Sequence, residues 1–479
     1  MSDELATLDA TAQAELVRRG ELTPSELVDA AVARIERIDP QLNAVINPTF
    51  ERARAQASAQ LAGGPFRGVP FLLKDLGAHL AGEPLHAGMR VLRELRWVES
   101  GETYLAAKFR AAGLVSLGKT NTPELALLPT TEPDSYGPSR NPWDTARSTG
   151  GSSGGAAAAV AAGLVPVAHA TDGGGSIRIP ASHCGLVGLK PSRGRTSLGP
   201  DVAERWGGFS VEHVLTRSVR DTAAILDAVA GEMPGDPYVA PPPQRPFAAE
   251  VGAAVGRLRV GYMVCAAGGA PVHPDCAAAA ERAARLLDSL GHDVEASHPE
   301  PLGDTELLRS IITIIAAATA RALDVWSEKT RRTLTANDME RLTWAVAEIG
   351  RGVPATAYLG ALEYTHAQAR RIARWWADGF DLLLTPTTGE PPPLLGEFAA
   401  TADNPFAGFV RAAPFSTFTS AFNATGQPAI SLPLHSSAGG LPIGIQLVAA
   451  YGREDLLLRV AAQLEEAQPW SDRRPPVHA

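Results

Sequence analysis

Apolar positions fall along this chain in two rhythms, and their order predicts the architecture. Thr23-Pro24-Ser25-Glu26 joins an N-cap hydroxyl, a proline for the first helical position and a glutamate placed for a capping box. Leu27, Val28, Ala31, Ile35 and Ile38 then lie close to one helical face, so residues 1–65 read as N-terminal helices. Beyond them the spacing shortens. Residues 69–73, 114–117 and 165–170 are largely apolar runs of strand length, the pattern of strands buried on both faces. Residues 102–112 and 156–162 read as helices between them. Short strands alternating with helices predict a mixed sheet covered on both faces.

A proline-rich stretch at 232–249, containing Pro241-Pro242-Pro243, reads as an extended connection. After it come a strand at 258–264, an Ala- and Leu-rich helix at 277–290 and a mainly helical segment over 305–378. Strands return at 382–384, 429–432 and 443–448, and an amphipathic helix closes the pattern at 454–464. No internal repeat is visible. Because strands resume late, the chain reads as one α/β domain over 1–479 and not as two halves. Its parts are the N-terminal helices 1–65, a catalytic core part 66–231, the connection 232–249, a mainly helical, substrate-shaping part 250–380, and a return to the sheet with a final helix over 381–479.

Composition narrows the function. Hydrophobic content of 45% and charged content of 20% are ordinary for a soluble globular protein. A net charge of -9, with no basic run, argues against a nucleic-acid partner, because phosphate binding rests on clustered Lys and Arg. Cys184, Cys265 and Cys276 show no CxxC pairing and read as small buried apolar residues, not as ligands or nucleophiles. The first twenty residues carry charges throughout, and no stretch approaches ~18 uninterrupted apolar residues, so no membrane span is expected and the cytoplasm is the expected compartment.

Two motifs mislead. Residues 113–120, GLVSLGKT, satisfy the P-loop pattern letter for letter. A phosphate cradle needs a flexible Gly-rich turn ahead of a long helix, whereas residues 114–117 are themselves an apolar strand and Pro123 follows closely. The expected structure is a strand ending in a Gly-Lys turn. Residues 150–154, GGSSG, satisfy the G-x-S-x-G elbow, but RNPWD upstream is loop chemistry and not the strand that the elbow requires.

What remains to be explained is a pair of glycine-rich loops with serines. TGGSSGGA at 149–156 precedes an Ala-rich helix, and TDGGGSIRIP follows at 171–180. Each glycine loses extra entropy on folding, so two such loops are a costly choice unless backbone must approach something closely. Residues 173–176 offer consecutive N–H groups unobstructed by side chains, a nest suited to a developing oxyanion. A serine beside its own oxyanion hole is the geometry of acyl transfer. Its base could be His169 or His183, or Lys74, which closes an apolar run at 68–75, GVPFLLKD. A histidine inside an apolar strand is more often a satisfied core residue. Burial would lower the lysine pKa from about 10.4 by as much as several units. The residues alone leave the choice between lysine and histidine open.

The chain resembles the amidase signature family. The resemblance runs through GVPFLLKD at 68–75, LGKTNTPE at 117–124, RNPWD at 140–144 and TGGSSGGAAAAVAAG at 149–163. It continues through TDGGGSIRIPASHCGLVGLKPSRGR at 171–195 and GQPAISLP at 426–433. It implies the family's fold, a large twisted mixed sheet covered by helices on both faces with a helical insertion. It also implies a catalytic Lys–cis-Ser–Ser unit: Ser176 as nucleophile, Ser152 as the cis-Ser and Lys74 as base. Gly173, Gly174, Gly175 and Ser176 would form the oxyanion hole. Ser153 would support the relay, and Asp172 and Arg178 would fix the nucleophile loop. No metal or cofactor is implied. LLKDL at 72–76, TTEP at 130–133, IPASHCG at 179–185 and PIGIQLVAAYGREDLLL at 442–458 resemble the bacterial members that open a cyclic amide by-product of nylon.

The expected partner is a small-molecule amide; a homodimer is compatible with it. Linear, cyclic and aryl amides and carbamates all fit the same acyl chemistry. Ile177 and Ile179, with the apolar stretch 406–422, hint at a pocket for neutral apolar amides, although core packing would use the same residues. Two other functions share the motifs. One is an amidotransferase A-type subunit in a tRNA-dependent complex, the other a binding protein on a retired hydrolase scaffold.

Overall fold

The computed structural model describes residues 2–59, 61 and 63–479. An eleven-stranded mixed sheet runs through the molecule. Its first half contains β1 (Val45–Pro48), β2 (Pro70–Lys74) and β3 (Val115–Thr120). A separate two-stranded hairpin, β4 (Arg140–Asn141) with β5 (Asp144–Ser148), comes next. The main sheet resumes with β6 (Val167–Asp172), β7 (Val187–Lys190) and β8 (Val211–Thr216). Beyond the proline-rich connection come β9 (Arg259–Tyr262), β10 (Asp293–Ala296) and β11 (Leu382–Pro386), then β12 (Ala429–Ser436) and β13 (Pro442–Ala449). The spatial order is β1-β3-β2-β6-β8-β7-β12-β13-β11-β9-β10. The junction of early and late strands is antiparallel, β7 to β12, so a single hydrogen-bonded sheet spans both sides of the connection.

Side-chain alternation explains why helices cover both faces. In β2, Leu72 enters one core with the helices Pro24–Leu42 and Gly154–Ala161. Phe71 and Leu73 enter another, with the helix Tyr104–Ala111 and part of Val219–Val229. The late strands repeat the division. Leu382, Leu384 and Ile445 pack against the helices Pro274–Ser289 and Glu454–Ala467. Leu383 and Val448 face the helices Thr305–Thr330 and Ala355–Ala377. Strands with apolar residues on both sides are what the largely apolar runs in the sequence encode. The capping box at Thr23 also forms, with the Thr23 N–H donating to Glu26 at 2.7 Å and the Glu26 N–H to Thr23 Oγ1 at 3.2 Å.

Three local expectations need correction. Gly118-Lys119 is not a turn, because β3 continues through Thr120 and Lys119 is buried with its ammonium 3.5 Å from Glu83. RNPWD is the start of a short hairpin and not a simple loop. Cys265 is exposed, unlike Cys184 and Cys276. Within 250–380, β9 falls on the strand read at 258–264, and β10 lies beyond it at the far edge of the sheet.

Candidate active site

The site is built where two parallel strands end together. β2 and β6 are paired in register, Phe71 opposite Val167 and Leu72 opposite Ala168, which brings Lys74 alongside the end of β6. The Lys74 Nζ stands 2.6 Å from Ser152 Oγ, 3.0 Å from Ser153 Oγ and 2.8 Å from Thr171 Oγ1. All four residues are buried. Three hydroxyls around one amine satisfy its hydrogen bonds without supplying a counter-charge. Burial therefore drives the Lys74 ammonium down to about 7, against the opposing pull of Glu212 and Asp172 and with the help of Arg205. Ser153 is fixed in turn by Thr171, whose N–H donates to Ser153 Oγ and whose carbonyl accepts from it, both at 3.2 Å.

Ser152 reaches Lys74 because of the backbone before it. The Gly151–Ser152 peptide bond is cis. A Cβ on Gly151 would lie 2.3 Å from the Thr130 carbonyl oxygen, so only glycine lets the loop pass this close. Thr131 Oγ1 ties the loop down, donating to the Gly150 carbonyl at 3.0 Å and accepting the Gly154 N–H at 3.1 Å.

The second loop begins where β6 ends. Asp172 accepts the N–H of Gly175 at 2.7 Å and of Ile177 at 3.1 Å, and Arg178 holds it through Nε at 3.0 Å and Nη2 at 2.9 Å. Burial alone would raise the Asp172 carboxyl; the Arg178 guanidinium, with Lys190 and Asn423, overrides this and holds it at about 2. Asp172 and Arg178 are thus a fully buried pair that shapes the loop. The Gly175 N–H is consumed by this pairing, which corrects its expected place among the oxyanion donors. Among the described residues, the N–H groups of Gly173, Gly174 and Ser176 have no protein acceptor.

Ser176 and Gly173 open onto a cavity of about 700 Å³ that also reaches Ser152 and Thr171. This is within the usual range for small-molecule sites. Its walls come from residues 76–87, 125–126 and 201–210, and from the helical insertion at 317–329 and 353–358. Leu85, Leu125, Val325 and Trp326 make it largely apolar, and the Glu99–Lys329 ion pair adds charge.

The sequence profile of the amidase family ("Amidase") matches residues 26–458. The chain belongs to the amidase family. Among relatives, a 6-aminohexanoate-cyclic-dimer hydrolase of Paenarthrobacter ureafaciens is 46% identical over 98% of this chain and 96% of its own. A solved 6-aminohexanoate cyclic dimer hydrolase complexed with substrate superimposes with a TM-score of 0.96 at 45% identity, covering 99% of this chain and 100% of that one. A glutamyl-tRNA(Gln) amidotransferase chain from Thermotoga maritima is more distant, at 26% identity and a TM-score of 0.80 over 99% of each chain. The protein is therefore an amide-hydrolysing enzyme acting on a small-molecule amide, and the amidotransferase reading has less support. Within the amidase fold, no described helix is long and apolar enough to cross a membrane.

Two alternatives left open by the sequence are decided in this amidase. Ile177 and Ile179 are buried in apolar clusters, and Phe415, Phe418 and Phe422 are buried as well, so these side chains are core and not the pocket wall. His169 is no base either: its Nδ1 accepts the Lys74 N–H at 3.3 Å and its Nε2 meets Glu212 at 3.0 Å. Sequence reasoning missed Thr171, although it sits in the quoted TDGGGS motif. It also missed Thr419 and Asn423. Thr419 donates to the Gly174 carbonyl at 2.6 Å, and Asn423 donates to the Asp172 carbonyl at 2.9 Å. No local signal marks these two, because they approach from more than two hundred residues away.

Proposed function

We propose that Ser176 attacks the amide carbonyl, with Ser152 and Lys74 as its proton relay, and that 6-aminohexanoate cyclic dimer is a substrate. The observation that carries this reading is the 2.6 Å contact between Lys74 Nζ and Ser152 Oγ, at the edge of a cavity that Ser176 shares. Neutral Lys74 takes the proton of Ser152 as Ser152 takes that of Ser176. The N–H groups of Gly173, Gly174 and Ser176 hold the oxyanion. The relay then returns the proton to the leaving nitrogen, and water releases the acid from the acyl-enzyme. Ser153, Asp172 and Arg178 position these groups and do not react.

The substrate assignment draws on the 46% identity with the Paenarthrobacter enzyme and on the apolar walls, which suit methylene chains. A neutral ring of two amides needs no charged partner to enter such a cavity. We also place the enzyme in the cytoplasm, where three unpaired cysteines stay reduced.

The test is incubation of the purified chain with the cyclic dimer, followed by mass spectrometry of the ring-opened acid. Wild type should accumulate it and Ser176→Ala should not. An intact ring after prolonged incubation with wild type would remove the substrate assignment. Turnover by Ser176→Ala at the wild-type rate would remove the mechanism.

A further inference from the structure

Among the described residues, the lysine and arginine side chains lining the cavity are paired, with one exception. Lys329 meets Glu99 at 3.1 Å, Arg321 meets Glu328 at 3.0 Å, and Glu204 accepts the Tyr238 hydroxyl at 2.8 Å. Arg205 lines the same cavity, half-buried. Among the described residues its guanidinium meets neither a carboxylate nor any other acceptor, and its acidic loop neighbours Asp201 and Glu204 are exposed.

The backbone holds Arg205 there by an unusual turn. Trp206 has φ +54°, followed by Gly207 at +61° and Gly208 at +81°. A left-handed conformation at a bulky residue is uncommon and needs support from its surroundings. The support is visible on both sides. The Trp206 ring lies against Gly173, where an added Cβ would come within 2.8 Å of the indole. Gly207 packs so closely on the helical insertion that its Cβ would lie 2.8 Å from Leu362. Clamped between the nucleophile loop and the insertion, the turn sets Arg205 near the reacting centre, and its charge acts on both Lys74 and Glu212.

An unpaired guanidinium partly withdrawn from water is unfavourable unless an anion completes it. Its planar fork matches a carboxylate through two parallel hydrogen bonds. We infer that Arg205 recognises a carboxylate on the substrate, so that this enzyme also takes linear amides bearing a free carboxylate. This rests on the amide-hydrolysis reading above and extends it, because the neutral cyclic dimer leaves Arg205 without a partner.

Two matched pairs of amides test it. In one pair the acyl chain of a 4-nitroanilide ends in either a carboxylate or a methyl group. In the other the same choice is made on the amine side of an N-acyl amine. In wild type, kcat/KM should favour the carboxylate in at least one pair. Arg205→Gln should reduce that preference tenfold or more, and Arg205→Lys should keep part of it. A preference unchanged in Arg205→Gln, or a methyl preference in both pairs, overturns the inference. Calorimetry separates it from the reaction itself. In a Ser176→Ala background the carboxylated amide should bind at least tenfold more tightly than its methyl partner, and adding Arg205→Gln should erase the difference. Equal affinities refute carboxylate recognition even if turnover is observed. Absent turnover with this binding difference intact refutes only the mechanism.

Discussion

The pH dependence of activity follows from the environment of Lys74. A lysine with an ordinary value of 10.5 and a buried value of about 7 is half neutral at neutral pH. At pH 5 roughly one molecule in a hundred would carry the neutral amine, and at pH 9 nearly all would. The kcat/KM for a neutral anilide should therefore rise about fiftyfold from pH 5 to 7 and only about twofold from 7 to 9. A histidine base would give a similar limb, so a second measurement assigns it. In the unfolded chain Lys74 keeps its proton up to 10.5, whereas the folded chain releases it near 7. Between these values the unfolded state binds more protons, so stability rises with pH across that window and is flat below it. From pH 7 to 9 wild type should gain about 2 kcal/mol relative to Lys74→Met, which keeps the volume and removes the titration. Denaturant melts of both proteins at the two pH values read this difference directly. An activity limb above pH 9, or a stability difference that does not change between pH 7 and 9, would refute the account.

Other perturbations have equally definite outcomes. Ser152→Ala should lower kcat by roughly 10³-fold or more while Ser176 still accepts a fluorophosphonate slowly, because the relay and not the nucleophile is lost. Gly175→Ala should distort the nest, since φ is +136° and its Cβ would lie 2.5 Å from Thr419 Oγ1; a kcat loss of about 10²-fold or more with little change in KM is expected. Asp172→Asn leaves Arg178 as an uncompensated buried charge and should cost about 3–5 kcal/mol, read as a lower melting temperature. In wild type the contribution of Asp172 is present above its ordinary value of 3.8 and is lost only as pH falls through about 2, which an acid titration of the fold can follow. Exhaustive chelation should leave turnover unchanged.

What the sequence made legible was local chemistry. Glycines at 151 and 173–175 announce close backbone approach, and Lys74 at the end of an apolar run announces a buried amine. Apolar character alone, however, does not distinguish a cavity wall from a core. Phe415, Phe418 and Phe422 read as either and prove to be core, while Ala317, Val325 and Trp326 look like ordinary helix positions and line the cavity. The difference lies in which elements meet across the sheet, and no residue records that by itself. Lys119 makes the same point in reverse. A lysine suggests a surface turn, yet Glu83, brought in from an earlier loop, lets the strand keep it buried.

The anchoring of Arg178 has a consequence for biosynthesis. Its guanidinium donates to the Thr419 carbonyl at 3.0 Å, to Gln446 Oε1 at 2.8 Å and to Asn423 Oδ1 at 2.6 Å, partners 241 to 268 residues further along the chain. The serine loop is synthesised well before these supports. Contacts of such separation form late, because the intervening chain must first be ordered. A nascent chain on the ribosome would carry the Lys74, Ser152 and Ser176 side chains long before it could hold them in register. Ordering of the serine loop thus waits on residues 419–446, far downstream of the serines themselves.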